Sequence, residues 1–316
     1  MAERGRALPA IAKLRTRLLG LFVCAVVAPV ISPLGSAVGG DETLNNGDKP
    51  LQSNVFQVAQ SGDLTKTYAF ADDPEDLRRT WDRATVFMPG REIGAFVYGR
   101  LGTASIRQRL AALSGDRRYP LVIYLHDSLD KSLVDDHLVE EFEMENFAAI
   151  FPYSRARGQW QTRCRSKPEP CNVPPQVYLD LVAEMTDTVR RARQLPWVDR
   201  DNIFLVGLGD GAAAIAASGA EVEVNGYVIA GWTCTAPPEL PGFDGLWTPI
   251  DRPVLLLNGR TNRWRRQADW DGSCAAKAGD HRDVTSLEID TYIENLFVHP
   301  AGRTALIAFL HTKLLR

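Results

Sequence analysis

Apolar residues in this chain fall in short unbroken runs separated by longer amphipathic stretches. The runs Leu121–Leu125, Ala148–Phe151, Ile203–Val206, Gly226–Ala230 and Val254–Leu257 have the length and composition of strands buried on both faces. Val284–Ile289 reads as a last strand. Between the runs the period changes to that of a helix. One helix is predicted from about Leu133 to Phe142, and one from about Val177 to Leu195 with Pro196 as its stop. An alanine-rich helix follows Gly211, and a closing helix covers Gly302 to Leu315. Strands alternating with helices predict an α/β fold, a mostly parallel sheet with helices on both faces.

The chain divides into three parts. Arg4, Arg6, Lys13, Arg15 and Arg17 precede an apolar run from Leu18 to Ile31, followed by Gly35-Ser36-Ala37, so residues 1–37 read as a secretory signal peptide. The run has 14 residues and contains Pro29, which is short of the ~20 needed to span a bilayer. Lipid attachment at Cys24 is disfavoured by the bulky Val23 before it. Residues 38–64, rich in Gly, Asn, Asp, Gln and Ser, read as a flexible N-terminal tail, and residues 65–316 as one folded domain. The expected location is exported, periplasmic or secreted, with no membrane span after signal removal.

Charge and cysteines sharpen that picture. Five basic side chains and Glu3 leave with residues 1–37, a net of +4, which takes the formal charge from -3 to -7. Nothing in such a balance favours nucleic acid. Cys24 leaves as well, and Cys164, Cys171, Cys234 and Cys274 remain as an even set, which in an oxidising compartment reads as two disulfides.

The strand Ile203–Val206 runs into Gly207-Leu208-Gly209-Asp210-Gly211 and then into the alanine-rich helix. This strand, glycine turn and helix resemble the α/β-hydrolase superfamily. Over Tyr119–Arg316 the order of elements is similar to secreted dienelactone-hydrolase and polyhydroxybutyrate-depolymerase-type esterases. The resemblance implies a G-x-S-x-G nucleophile turn, with small residues two positions either side of a strained serine. Gly207 and Gly211 supply the small neighbours, and Gly209 takes the serine position. Glycine has no side-chain atom with which to attack a carbonyl. Asp210 is an alternative nucleophile on the same turn, but that register puts Leu208 where a small residue is required, so Asp210 is expected to be an exposed first-turn residue favoured by the helix dipole.

Other positions follow from the resemblance. The histidine stands at His299, between the last strand and the closing helix. The acid, three residues after a glycine ending the penultimate strand, falls on Asn262, which orients an imidazole without balancing its charge. The oxyanion segment is His126-Asp127-Ser128, where an inward Asp127 carboxylate would oppose a developing oxyanion. Pairing is expected between Cys164 and Cys171, which close a short loop, and between Cys234 and Cys274, which lie after strands adjacent in the family's sheet.

Several other signals are weaker. His126, Asp127, Asp130, Asp135, Asp136 and His137 match no metal-ligand spacing, and no metal is expected. Gly207-x-Gly209-x-x-Ala212, with Glu221 or Glu223 downstream, fits a dinucleotide fingerprint only loosely, and no cofactor is expected. Trp160, Trp232, Trp247, Trp264 and Trp270 follow strands, at the sheet edge where open α/β folds bind ligands; they pack ordinarily or line an aromatic cleft for a small apolar, aromatic or sugar-like ligand. Arg263, Arg265 and Arg266 read as a charged surface loop with an anion contact as the alternative. The expected function is ligand or partner binding without serine hydrolase activity; the alternative is an ester or lactone hydrolase using a non-standard nucleophile or water.

Overall fold

Alternation along each strand decides which helices it meets. The computed structural model describes residues 74–90, 96–113, 117–127, 136–158, 175–236, 243–260, 274–293 and 295–315. In it, strand β3 (Tyr119–Leu125) turns Leu121, Ile123 and Leu125 to one apolar layer and Val122 and Tyr124 to the other. This is the period of two of a pleated strand, and burial on both sides is why the run carries no charged residue.

The first described elements are helix α1 (Pro74–Asp82), strands β1 (Thr85–Met88) and β2 (Val97–Arg100), and helix α2 (Ala104–Ala111). After β3 come α3 (Asp136–Glu145), β4 (Ala148–Phe151), α4 (Pro175–Ala192), β5 (Val198–Leu208) and α5 (Asp210–Ser218). Strands β6 (Gly226–Ala230), β7 (Val254–Gly259) and β8 (Val284–Ile289) precede the last helix, α6 (Pro300–Lys313). The strands form one sheet in the order β2-β1-β4-β3-β5-β6-β7-β8. Strand β1 is antiparallel to both its neighbours, and every pairing from β4 to β8 is parallel. Helices α2, α4 and α5 cover one layer, and α3 and α6 the other.

The expected architecture is therefore present, with different boundaries. Helix α3 reaches Glu145, three residues past the expected Phe142, and α6 begins at Pro300. Strand β5 starts at Val198, before the expected Ile203, because its polar opening Asp199-Arg200-Asp201 is partly exposed and carries no strand pattern. Elements α1, β1, β2 and α2 had no counterpart in the expectation.

Helix α5 lies close against the sheet, and its sequence explains how. All nine residues are buried. A Cβ on Gly207 would come within 2.6 Å of the Ala212 nitrogen, and one on Gly211 would overlap the Leu125 carbonyl. Backbone thus packs on backbone where any side chain would push the helix away. Among the described residues no helix is long and apolar enough to cross a membrane. The signal and tail regions, residues 1–37 and 38–64, lie outside the described residues.

Candidate functional site: a glycine elbow under a carboxylate

Strand β5 ends at Leu208, α5 begins at Asp210, and Gly209 alone makes the turn, with φ 55° and ψ -115°. This backbone region is almost closed to residues with a Cβ and costs them about 1 to 3 kcal/mol. Two hydrogen bonds hold the turn: Gly209 N donates to the Ala230 carbonyl of β6 at 2.9 Å, and the Gly209 carbonyl accepts from Ala213 N at 3.0 Å. The backbone thus passes from strand to helix at a single residue, and that residue carries no side chain.

The space above Gly209 is filled. A Cβ built there would overlap the Asp127 carboxylate oxygen Oδ2 and stand 2.8 Å from its Cγ. Asp127, the second residue after β3, therefore turns inward over the elbow, the orientation in which its charge opposes an oxyanion. Ser128, the other residue expected in an oxyanion segment, lies outside the described residues.

Asp210 requires a correction. Expected as an exposed first-turn residue, it is 6% exposed, and the Tyr178 hydroxyl of α4 donates to its carboxylate. Burial, then Asp210 and Asp127, push the Tyr178 phenol well above its ordinary range, so the hydroxyl keeps its proton and serves as a donor. Its ring packs on Phe243 at 5.5 Å and on Trp232 at 6.3 Å between centroids. Trp232 is itself buried in the α4–α5 layer, so it packs as a core aromatic.

Behind Asp127 lies a buried polar chain that sequence reasoning missed. The His126 ring has Nδ1 2.8 Å from the Asp127 carbonyl oxygen and Nε2 3.2 Å from Ser154 Oγ. Ser154 Oγ lies 2.6 Å from Glu184 Oε1 on α4. His126, Ser154 and Glu184 are each 1% exposed or less. The buried Arg157 pairs with Asp180 at 3.7 Å and donates to the Asp180 carbonyl at 2.7 Å. Burial pushes the Asp180 carboxyl upward, partly offset by Arg157 and Gln176. The available signal was the spacing of Asp180, Glu184 and Asp187, which puts three acids on one helix face. Such a face ordinarily reads as solvated.

Burial raises the Glu184 carboxyl from 4.5 to about 7, against the opposing pull of Arg157 and Ser154. Between those values the folded protein holds a proton that the unfolded chain has released. The resulting stability is complete below about pH 4.5 and is lost as pH rises through about 7, a span of about 3 kcal/mol. Glu184→Gln cannot ionise, and urea denaturation should show a flatter stability profile from about pH 5 to 8 than the parent gives. An equal fall in both proteins would assign the pH dependence to another group.

His299 is the N-cap of α6, and its Nδ1 accepts from Ala301 N at 3.2 Å. In a serine-hydrolase triad that nitrogen donates to the acid; here it carries no hydrogen and serves its own helix. Asn262 lies outside the described residues, as do Trp160, Trp264, Trp270, Arg263, Arg265, Arg266, Asp130, Asp135 and the pair Cys164 and Cys171. Gly259, from which the acid position was counted, ends β7. Trp247 is 56% exposed, and its indole N–H donates to the Asp244 carbonyl at 2.7 Å. Cys234, after β6, is joined to Cys274, before β8, with Cα atoms 4.8 Å apart. No group of acids, histidines or cysteines able to hold a metal occurs among the described residues.

No family model and no curated protein sequence matches the chain. Solved structures similar to it include an esterase of Pyrococcus furiosus, with 16% identity, 64% of this chain and 86% of that one covered, and a TM-score of 0.42. A thermophilic carboxylesterase cloned from a metagenomic library shares 14% identity over 78% of this chain and 95% of that one, with a TM-score of 0.46. A putative dienelactone hydrolase from Klebsiella pneumoniae shares 16% over 62% and 88%, with a TM-score of 0.42. The strand order, the two helix layers and the turn at Gly209 together make the fold α/β-hydrolase-like.

Proposed function

We propose that this chain is an exported, periplasmic or secreted protein that uses an α/β-hydrolase-like fold for binding and lacks serine hydrolase activity. Gly209 stands in the nucleophile's place, Asn262 in the acid's and His299 in the histidine's. One observation carries the reading: the turn keeps the backbone of a nucleophile elbow, while the Asp127 carboxylate occupies the volume a nucleophile side chain would need. A serine protease or esterase needs its hydroxyl, an imidazole free to take the proton, and donors for the oxyanion. Here the hydroxyl is absent, the imidazole Nδ1 is engaged as a helix cap, and a carboxylate faces the turn. A small apolar, aromatic or sugar-like molecule is the ligand class, or a protein partner through the same sheet edge.

Asp127 favours one second reading, ester or lactone hydrolysis with its carboxylate as a base for water or as the nucleophile. Exposure of the purified protein to a fluorescent serine-directed phosphonate and to short-chain p-nitrophenyl esters separates the two. Labelling should be absent and turnover at background, since loss of the triad serine lowers kcat by ~10⁶ in subtilisin. Stoichiometric labelling of a serine would overturn the proposal, and turnover abolished by Asp127→Asn would establish the second reading.

A further inference from the structure

We propose that two copies of this chain join along the outer edge of β8, their strands antiparallel about a twofold axis at Ser286. The inference goes beyond the proposed function and does not depend on it. Strand β8 is the last of the sheet, and of its six residues Thr285, Ser286 and Glu288 are exposed. Its pairing with β7 runs without a register shift from Val284 to Ile289. On that side the carbonyls of Asp283 and Ile289 accept from the Val254 and Arg260 nitrogens. Bonding direction alternates along a strand, so Val284 and Ser286 turn their N–H and C=O groups outward. Neither residue has a backbone partner on that outer side among the described residues.

An open edge is a template for another chain, and proteins that stay apart blunt it with a short strand, proline, lysine, a bulge or a covering element. The opposite edge of this sheet is blunted: β2 has four residues, contains Gly99, ends in Arg100 and is packed by α2. Strand β8 has no proline, lysine or bulge, and its one charged residue, Glu288, lies 3.9 Å from Arg260.

The flanks of the strand select a second copy as the partner. Arg282 and Asp290 stand four residues either side of Ser286, both exposed, and neither charged group has a partner among the described residues. In an antiparallel pair centred on Ser286, that residue exchanges both backbone bonds with its own copy, and Arg282 of each chain comes opposite Asp290 of the other. One kind of charge pair thus closes both ends of the joint. Other centres lose this match. A centre between two residues sets an outward residue against one whose bonds belong to β7. Centring on Leu287 brings Arg282 opposite Tyr292, and centring on Thr285 brings Asp290 opposite Asp280. Tyr292, an apolar side chain 80% exposed, stands at the rim of the joint centred on Ser286.

Sedimentation equilibrium of the purified protein at micromolar concentration should show a reversible dimer. Arg282→Glu sets two acids together at each end of the joint, and Asp290→Arg sets two bases there; each should weaken association by about tenfold or more. Mixed in equal amounts, the two variants should recover it, because each end of the mixed pair then holds one acid and one base. Ser286→Pro deletes an outward N–H that β7 does not use, so the sheet should stand while the dimer is lost. A monomeric parent, dimers unmoved by the single charge reversals, no gain on mixing, or a folded Ser286→Pro that still pairs would overturn the proposal. Should Ser286→Pro fail to fold, the charge variants decide by themselves, since both lie on exposed flanks. Ligand binding and ester turnover enter none of these readouts, so failure of the proposed function leaves this result intact.

Discussion

Gly209→Ser is expected to destabilise the domain by about 2 to 6 kcal/mol, and Asp127→Ala in the same chain to recover a large part of that loss. Two separate costs meet at position 209. The first belongs to the backbone, because φ 55° with ψ -115° suits glycine and strains serine by about 1 to 3 kcal/mol. The second is steric: the new Cβ would overlap Asp127 Oδ2 and crowd Cγ, and displacing a packed group costs about 1 to 3 kcal/mol. Alanine at 127 removes both offending atoms and leaves the strain. A double-mutant cycle in urea should therefore show a coupling of about 1 to 3 kcal/mol between the two positions, well outside additivity. Strict additivity would mean that Asp127 does not stand over the elbow. Restored chemistry needs more than the hydroxyl. Addition of Asn262→Asp supplies a carboxylate, yet His299 must also release Ala301 N and turn a protonated Nδ1 toward it. Slow esterase activity in the triple variant that disappears with His299→Ala would show that the cap can be surrendered.

The scaffold of this site was legible because its signals are local. Leu121–Leu125 and Ile203–Val206 are apolar without a break because two helix layers cover them. Gly207 is readable because a Cβ there would meet the backbone of Gly211 and Ala212 within the turn itself, whereas Gly211 makes room for the Leu125 carbonyl of β3. What stayed hidden depends on partners distant in the chain. An acid at a helix N-terminus is ordinarily solvated, whereas Asp210 lies buried with Tyr178 of α4 reaching it. Glu184 is likewise buried because Ser154 and Arg157 arrive from the segment after β4. The direction taken by Asp127 could not follow from its position after a strand, since the residue leaves the sheet's alternation there. Strand β2 escaped detection because Tyr98 and Arg100 are exposed and Gly99 lies between them, so Val97 is its one buried residue.

The other large effect is expected at the bridge between Cys234 and Cys274, whose removal as Cys234→Ala with Cys274→Ala should cost about 4 kcal/mol. The two half-cystines are 40 residues apart, and in the chain-entropy model a cross-link of that span withdraws about 4 kcal/mol of freedom from the unfolded chain. Alanine is the right replacement because both positions are fully buried and a serine hydroxyl there would lack a place in the apolar layer. The bridge also restrains the folded state. Cys234 holds φ at 58°, a left-handed conformation for a residue with a side chain, and its carbonyl accepts from Gly245 N at 2.8 Å. Trp232 lies two residues earlier, against the Tyr178 ring that binds Asp210. Release of the bridge should therefore expose Trp232 to acrylamide quenching before the sheet unfolds. Guanidinium denaturation of the double variant against the oxidised parent should show this loss. A loss under about 1 kcal/mol would mean that the loop is closed by its other ties, the Lys277–Asp244 ion pair at 3.0 Å and the Arg282 N to Ile250 carbonyl bond at 3.0 Å.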